Sequence, residues 1–248
     1  SVICAQPGMP DWSDISYLKD PKSLALANEG KLKGVFQFDS EGIRRLCRDG
    51  GVTDFEDIPA YSSLYRPGPL GMNMEQRYIK RKKGEERGWE AGLNTQLKPI
   101  VEGTYGVLCY QEQIMKMLGA AGNIPSSHQE IVRKAISKKK EETFRKYKEM
   151  FLEEGQKILG WPEARSALWE QIESFAEYGF NRSHAVAYSY ISARLLYLKA
   201  NFPLEFYATT LALENQTDKI VEYRREAEND GYVVNKLDLN KSGVNFQI

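Results

Sequence analysis

The chain has 248 residues, 42% of them hydrophobic and 27% charged, with 34 Lys plus Arg balancing 34 Asp plus Glu. That length supports one large domain or two small ones around a real apolar core, and the zero net charge by itself names no partner. No apolar run approaches the ~20 residues of a membrane span, so an integral membrane helix is excluded. The average hides local bias. Ile131 to Lys148 holds eight basic and two acidic residues, Arg66 to Gly88 seven and three, while Asn201 to Asp230 reverses to three basic and seven acidic. Local charge is what a polyanion feels. Three scattered cysteines, Cys4, Cys47 and Cys109, cannot all pair and suggest a reduced, cytoplasmic thiol set. His128 and His184 have no partner at metal-ligand spacing. No basic-then-apolar leader opens the chain, and its start at Ser1-Val2-Ile3 without Met reads as a piece of something longer.

In chain order, most segments read as helix. Pro7 to Asp20 is an irregular connector. Asp20-Pro21 opens a short helix that Gly30 stops. Val35 to Phe38 reads as a short strand or extended piece, and Ser40 as the cap of a helix carrying Ile43 and Leu46 and ending at Gly50-Gly51. Thr53 and Glu56 form a capping box for a helix that must stop before Pro67. Arg66-Pro67-Gly68-Pro69 reads as a rigid loop, followed by a basic helix from about Met72 to Lys83. Glu85 to Gln96 is the loosest stretch. Tyr105 to Tyr110 reads as extended and Glu112 to Ala121 as helical. Ser127 and Glu130 make a second capping box, opening a long helix with Val132, Ala135 and Ile136 on its apolar face. Pro162 starts a helix with Leu168, Ile172 and Phe175 on one face, and Pro203 starts another; others run from about Ala185 to Ala200 and from Asp218 to Asp230, before an extended piece at Val233-Val234. The fold class is therefore mainly α, an irregular multi-helix domain with a few short extended segments.

Three constellations could carry chemistry. Tyr178 to His184 sits between two helices, with Ser183 as a natural cap for the second. A helix start offers unpaired amides and partial positive charge, and Arg182 and His184 add donors, which suits a phosphate. Tyr178 and Phe180 are aromatic enough to pack on a base. The plainer reading is a helix corner with a capping serine. Arg133, Lys134, Lys138, Lys139 and Lys140 could share a helix face that meets a triphosphate or DNA backbone, or form a solvated face beside Glu141 and Glu142. Arg66, with Lys82 and Lys83 behind it, could meet a backbone phosphate, or simply belong to a turn. Clustered carboxylates on strands, such as two-metal phosphoryl transfer needs, do not stand out, nor does a phosphate-binding glycine loop. No catalytic residue and no metal ligand is assigned in this chain.

At these residues the chain resembles a family. Gly34-Val35-Phe36-Gln37-Phe38-Asp39-Ser40, Leu64 to Pro69, Thr104 to Val107 with Tyr110 to Met115, and Phe175 to Tyr188 are similar, in order and spacing, to segments of bacterial DNA polymerase III alpha subunits. The resemblance covers about residues 18 to 246. It implies the fingers region of a C-family replicative polymerase, dividing as a connector over 1–33, the fingers over 34–214, and over 215–248 a helix with the start of a helix-hairpin-helix region. It implies that Arg133, Lys134 and Lys138 meet the incoming triphosphate. Phe180, Asn181, Arg182, Ser183 and His184 would lie beside the nascent base pair and its phosphate. Arg66, Lys82, Lys83, Lys139 and Lys140 are the DNA-backbone candidates. The implied partners are primer-template DNA, a dNTP, the rest of the polymerase chain and, through segments not in this sequence, other replicase subunits, all in the cytoplasm and none in a membrane. No cofactor is implied for this stretch, and magnesium is implied for the parent enzyme. Lysine at 134 and Ile136-Ser137 depart from the family's usual Arg-Arg-Ala-Met-Gly-Lys-Lys and mark a divergent member. A stand-alone nucleic-acid-binding module descended from such a polymerase is the alternative.

Overall fold

Prolines, glycines and a few side-chain oxygens set where the helices of this chain begin and end. The computed structural model describes residues 10–87, 97–138, 141–159 and 162–248. The helices are α1 (Pro21–Glu29), α2 (Glu41–Gly50), α3 (Asp57–Leu64), α4 (Pro67–Gly71), α5 (Met74–Lys82), α6 (Lys98–Val101) and α7 (Gln111–Gly122). They continue as α8 (Ser126–Ser137), α9 (Glu141–Leu159), α10 (Pro162–Ala176), α11 (Arg182–Asn201), α12 (Pro203–Leu213) and α13 (Thr217–Asn229). Among the described residues the sole β-type pairing is an isolated bridge between Tyr110 and Phe180, so the architecture is mainly α. The chain divides into two compact units, one of Ser1–Ile58 with Tyr188–Ile248, the other of Pro59–Ala187.

In the first unit α1 starts and stops as its residues dictate. The Asp20 carboxylate accepts from the Ser23 amide at 2.8 Å, and Gly30 closes the helix in the left-handed region at φ 69°. The expected strand at Val35 to Phe38 is instead a series of turns. Asp39 Oδ1 reaches back to the Gly34 amide at 2.9 Å, and Gln37 takes φ 62°, so the segment curls. Val35 and Phe38 still face the core, and Phe36 is left exposed. Asp39 Oδ2 also accepts from Lys219 at 3.2 Å and from the Tyr223 hydroxyl at 3.3 Å. The expected Thr53–Glu56 capping box is likewise replaced. Asp57 is buried, and one of its oxygens accepts from the Thr53 amide, the Thr53 hydroxyl and the Asp54 amide. The carboxylate one residue further along is the one that turns inward.

The same unit buries a lysine. The Lys199 ammonium donates to the Lys33 carbonyl at 2.9 Å and to Glu226 at 2.5 Å, against the rings of Phe206 and Tyr207. Burial pulls its pKa below the ordinary lysine value, opposed by the Glu226 charge. The Tyr207 hydroxyl in turn donates to Asp230 at 2.5 Å. Burial and that carboxylate push the phenol up. The two bonds tie α11 and α12 to α13 and its end, around a core of Phe206, Tyr207 and Ala227.

The second unit is built on α7 to α10. Helix α7 packs on α8 and α9, and α10 on α9, α8 and α7. The apolar spacing read from the sequence holds here: Val132, Ala135 and Ile136 are buried on α8, as are Leu168, Ile172 and Phe175 on α10. Phe151 of α9 and Trp169 of α10, both fully buried, meet with ring centroids 5.2 Å apart. Three local expectations change. Arg66-Pro67-Gly68-Pro69 is not a loop, because Pro67 sits at the first position of α4 and presets its helical φ. Helix α8 begins after Pro125, whose carbonyl takes the His128 amide, so no Ser127–Glu130 box forms; it also ends at Ser137 instead of running on. Tyr105 and Gly106 are left-handed rather than extended, because the Gly106 amide turns back to the Val101 carbonyl at 2.9 Å. The expected loop over 85–96 lies largely outside the described residues.

Gly122 marks a close approach of α7 to α9. A Cβ there would lie 2.4 Å from Phe151 Cδ2 and 3.3 Å from Phe151 Cα. Gly122→Ala should therefore destabilise by about 1–3 kcal/mol through overpacking. Gly71→Ala, which meets nothing within 4 Å, should stay within about 1 kcal/mol of the parent. Paired urea denaturation curves check both, and equal midpoints for the two variants would contradict the packing account.

Candidate nucleic-acid interface

Three motif segments, far apart in sequence, close on one another in the second unit, and Arg66 is the link. Its extended backbone precedes Pro67, which fixes the direction in which the side chain leaves. Arg66 Nε donates to the Ser63 carbonyl and Nη2 to the Tyr178 carbonyl, both at 2.8 Å. The guanidinium lies 4.4 Å from the Phe180 ring centroid, in cation–π range. Gly68 lets the Tyr178 ring rest on the α4 backbone, since a Cβ there would meet the ring at 2.1 Å. Arg66 is half-buried, and desolvation lowers its pKa without threatening its charge. This side chain is a strut between segments, with its fork spent on carbonyls.

Gln111, Glu112 and Gln113 complete the junction, each by a different bond. The Gln111 amide donates to the Phe180 carbonyl at 2.9 Å while the Phe180 amide donates to the Cys109 carbonyl at 3.0 Å, making the one bridge. The Gln111 side chain adds a bond to the Gly179 carbonyl at 2.9 Å. The Gln113 side chain accepts from the amides of Cys109 and Tyr110 and donates to the Ile100 carbonyl and the Thr104 hydroxyl. Cys109 is fully enclosed; burial pushes its thiol well above the ordinary range, against a weaker opposite pull from the Arg66 charge.

Glu112 bears on the anion site read at the start of α11. Its carboxylate oxygens accept from the Arg182 amide at 3.0 and 3.1 Å. Ser183 is not the cap. Asn181 Oδ1 accepts from the His184 amide at 2.7 Å, and the helix begins two residues earlier than a Ser183 cap requires. Asn181, Arg182, Ser183 and His184 are exposed. The Arg182 guanidinium lies 5.8 Å from the Tyr110 ring centroid, and the His184 ring meets Phe180 edge-on at 5.5 Å. The helix start thus presents two basic side chains over two aromatic rings, with one of its amides already taken by a carboxylate.

The α8 residues form a separate group. Arg133 is buried, and its Nε and Nη2 fork both oxygens of Glu130 at 2.9 Å each. Lys134 reaches the same carboxylate at 3.2 Å, with its side chain 60% exposed. Lys138 is exposed one turn further on. Hydrogen bonds from Arg133, then those from Lys134, hold the Glu130 carboxyl down at about 2. Lys82 and Lys83 end α5, where cations favour the helix dipole, and Lys82 lies 5.6 Å from the Tyr61 ring centroid. Lys139 and Lys140 lie outside the described residues.

Sequence reasoning therefore located the charged groups and missed the acceptors that hold them. The i,i+3 spacing of Glu130 and Arg133 was the available signal for one of them. Nothing local signals Gln111 or Glu112, whose partners are about 70 residues away, whereas Gln113 stands at the third position of α7, where a side chain can reach back to the cap amide, and also bonds Ile100 and Thr104 upstream. Among the described residues no three His, Cys, Asp or Glu side chains gather to hold a metal, and no helix is long and apolar enough to cross a membrane.

A helical domain in which these motifs interlock is the fingers of a DNA polymerase: the chain belongs to the family of the bacterial DNA polymerase III alpha subunit finger domain, whose family model matches residues 10–158. Its similarity to whole polymerase subunits runs further along the chain. The DNA polymerase III subunit alpha of Aquifex aeolicus is 41% identical over 240 residues, 95% of this chain and 20% of that protein. That of Thermus aquaticus is 40% identical over 236 residues, 93% of this chain and 19% of that protein. That of Bacillus subtilis is 38% identical over 239 residues, 96% and 21% respectively. The chain spans about a fifth of the length of the curated relatives it matches.

Arg66→Lys keeps the charge and loses the two-pronged reach, so it should lower stability by roughly 1.5–3 kcal/mol, the size of one charge-assisted hydrogen bond. An unchanged melting temperature would mean that the guanidinium is not holding the junction. For Glu130 the sign follows from its lowered pKa. The contribution of the fork is complete above the ordinary value of 4.5 and is lost as pH falls through about 2. The stability difference between the parent and Glu130→Gln should be flat above about pH 5 and shrink steadily below it. A difference that grew on acidification would contradict the pairing.

Proposed function

We propose that this chain serves as the nucleotide- and DNA-facing fingers of a replicative DNA polymerase, contributing contacts to the incoming dNTP and the nascent base pair. One observation carries the reading. Arg133 and Lys134 of α8 share the single Glu130 carboxylate, and Lys138 is exposed at the end of the same helix, within a chain of the polymerase fingers family. Clustered cations of this kind neutralise the charge of transferring phosphates and orient them for in-line attack. Phosphoryl transfer itself also needs paired acidic residues and metal ions. Magnesium and the acid cluster are assigned, on this reading, to other parts of the parent enzyme. On this reading the isolated chain extends no primer.

The base-pair side is assigned to the start of α11, where Arg182 and His184 are exposed above Tyr110 and Phe180. Arg66 is given an internal role and is withdrawn from the DNA-backbone candidates. Lys82 and Lys83 keep theirs.

Single-nucleotide incorporation by the polymerase that contains this chain tests the reading. Arg133→Ala and Lys134→Ala should each lower kcat/KM for the dNTP by about ten- to a hundredfold, the weight of one charge-assisted bond to phosphate. Lys134 is exposed enough for its variant to fold, and thermal melting controls for Arg133. Normal kinetics in both folded variants would remove the triphosphate assignment.

A further inference from the structure

We propose that Glu130 determines what kind of phosphate the α8 cations accept: its carboxylate holds the phosphate position on Arg133 and Lys134 and yields to a triphosphate but not to a single backbone phosphodiester. The inference rests on the reading above that α8 meets the triphosphate. It begins with geometry. Both Glu130 oxygens face Arg133, on the Nε and Nη2 edge that would fork a phosphate, and Lys134 closes on one of them. A carboxylate and a phosphate present the same paired anionic oxygens to such a fork.

The two partners differ in freedom. The Arg133 side chain is 10% exposed, on a helix face whose neighbours Val132, Ala135 and Ile136 are buried. Its guanidinium cannot easily follow a departing partner. The Glu130 side chain is 42% exposed and can rotate into water. An incoming anion thus meets a fixed fork with a movable occupant.

Charge then sets the selectivity. Two cations and one carboxylate leave a formal charge of +1 where the bare pair would carry +2. The carboxylate is tethered one turn away, so it competes at an effective concentration on the order of millimolar or above. A phosphodiester brings one charge and must displace it for little gain. A triphosphate brings several adjacent charges and engages both cations at once. The lowered pKa of Glu130 means the occupant stays charged throughout the physiological range. A positioning role, in which Glu130 merely aims Arg133 at the ligand, predicts the opposite sign on removal.

The test compares two probes on the 248-residue chain, inorganic tripolyphosphate and a single-stranded oligonucleotide, by calorimetry at about 0.1 M salt, where backbone contacts remain measurable. Glu130→Gln should strengthen oligonucleotide binding by about tenfold and tripolyphosphate binding by less, narrowing the preference. Weaker tripolyphosphate binding by the variant, or an unchanged ratio, overturns the proposal. The double variant Arg133→Ala/Lys134→Ala separates the two levels. If it binds tripolyphosphate as well as the parent, the α8 assignment falls and the inference with it. If it binds less tightly while Glu130→Gln leaves the ratio unchanged, only the role of Glu130 falls. Should Glu130→Gln melt differently from the parent, Glu130→Asp keeps the charge on a shorter arm and should narrow the preference in the same direction.

Discussion

The Arg66 guanidinium bonds two carbonyls and lies against an aromatic face, and the order of the second unit around it follows from that arrangement. A cation taken partly out of water must be compensated. Here the compensation comes from carbonyl dipoles and the Phe180 ring rather than from a described carboxylate. Those carbonyls belong to segments 112 residues apart in the chain for one bond and three for the other. Once Tyr178 and Phe180 are held, the Cys109–Gln111 backbone has a fixed neighbour to pair with, and the start of α7 is set against the start of α11. The exposed side chains at Arg182 and His184 inherit their directions from this chain of constraints.

Carboxylates answer a helix-start amide and two buried cations elsewhere. Glu112 sits on the first amide of α11, and Glu130 on the Arg133 fork. In the first unit Glu226 sits on the buried Lys199 ammonium. Arginine and lysine are used differently in the process. The planar fork spans two acceptors at Arg66 and both oxygens of one acceptor at Arg133, whereas the compact ammonium of Lys199 fits a small cage of one carbonyl, one carboxylate and two rings.

What could be read from the sequence was what is decided within a few residues. Pro21, Pro162 and Pro203 start helices, and Gly30, Gly51 and Gly231 end or follow them with positive φ, because backbone sterics settle those positions without distant help. The buried faces of α8 and α10 followed from apolar spacing for the same reason. Several of the misread places involve a side chain that takes a backbone amide from its expected partner. Asp39 curls a would-be strand by bonding Gly34, and Asp57 displaces Glu56 as the cap. Asn181 and Ser183 are both good capping types two residues apart, and the choice was settled by Glu112 arriving from another helix. In the candidate site the cations were legible, while the acceptors that limit what each one can still bind were not.

The enclosure of Cys109 gives the motif junction a built-in chemical reporter. Its backbone pairs with Phe180 and its sulfur is fully buried, with the thiol held protonated. A thiolate is the nucleophile, so an alkylating reagent can reach this sulfur only when the pairing around it comes apart. The rate at which the Cys109-bearing peptide is modified, read by mass spectrometry, is then a measure of how often the junction opens under native conditions. Cys47, buried in the other unit, supplies an independent clock for its own surroundings in the same experiment. Two rates from one labelling series would report whether the units breathe together or separately.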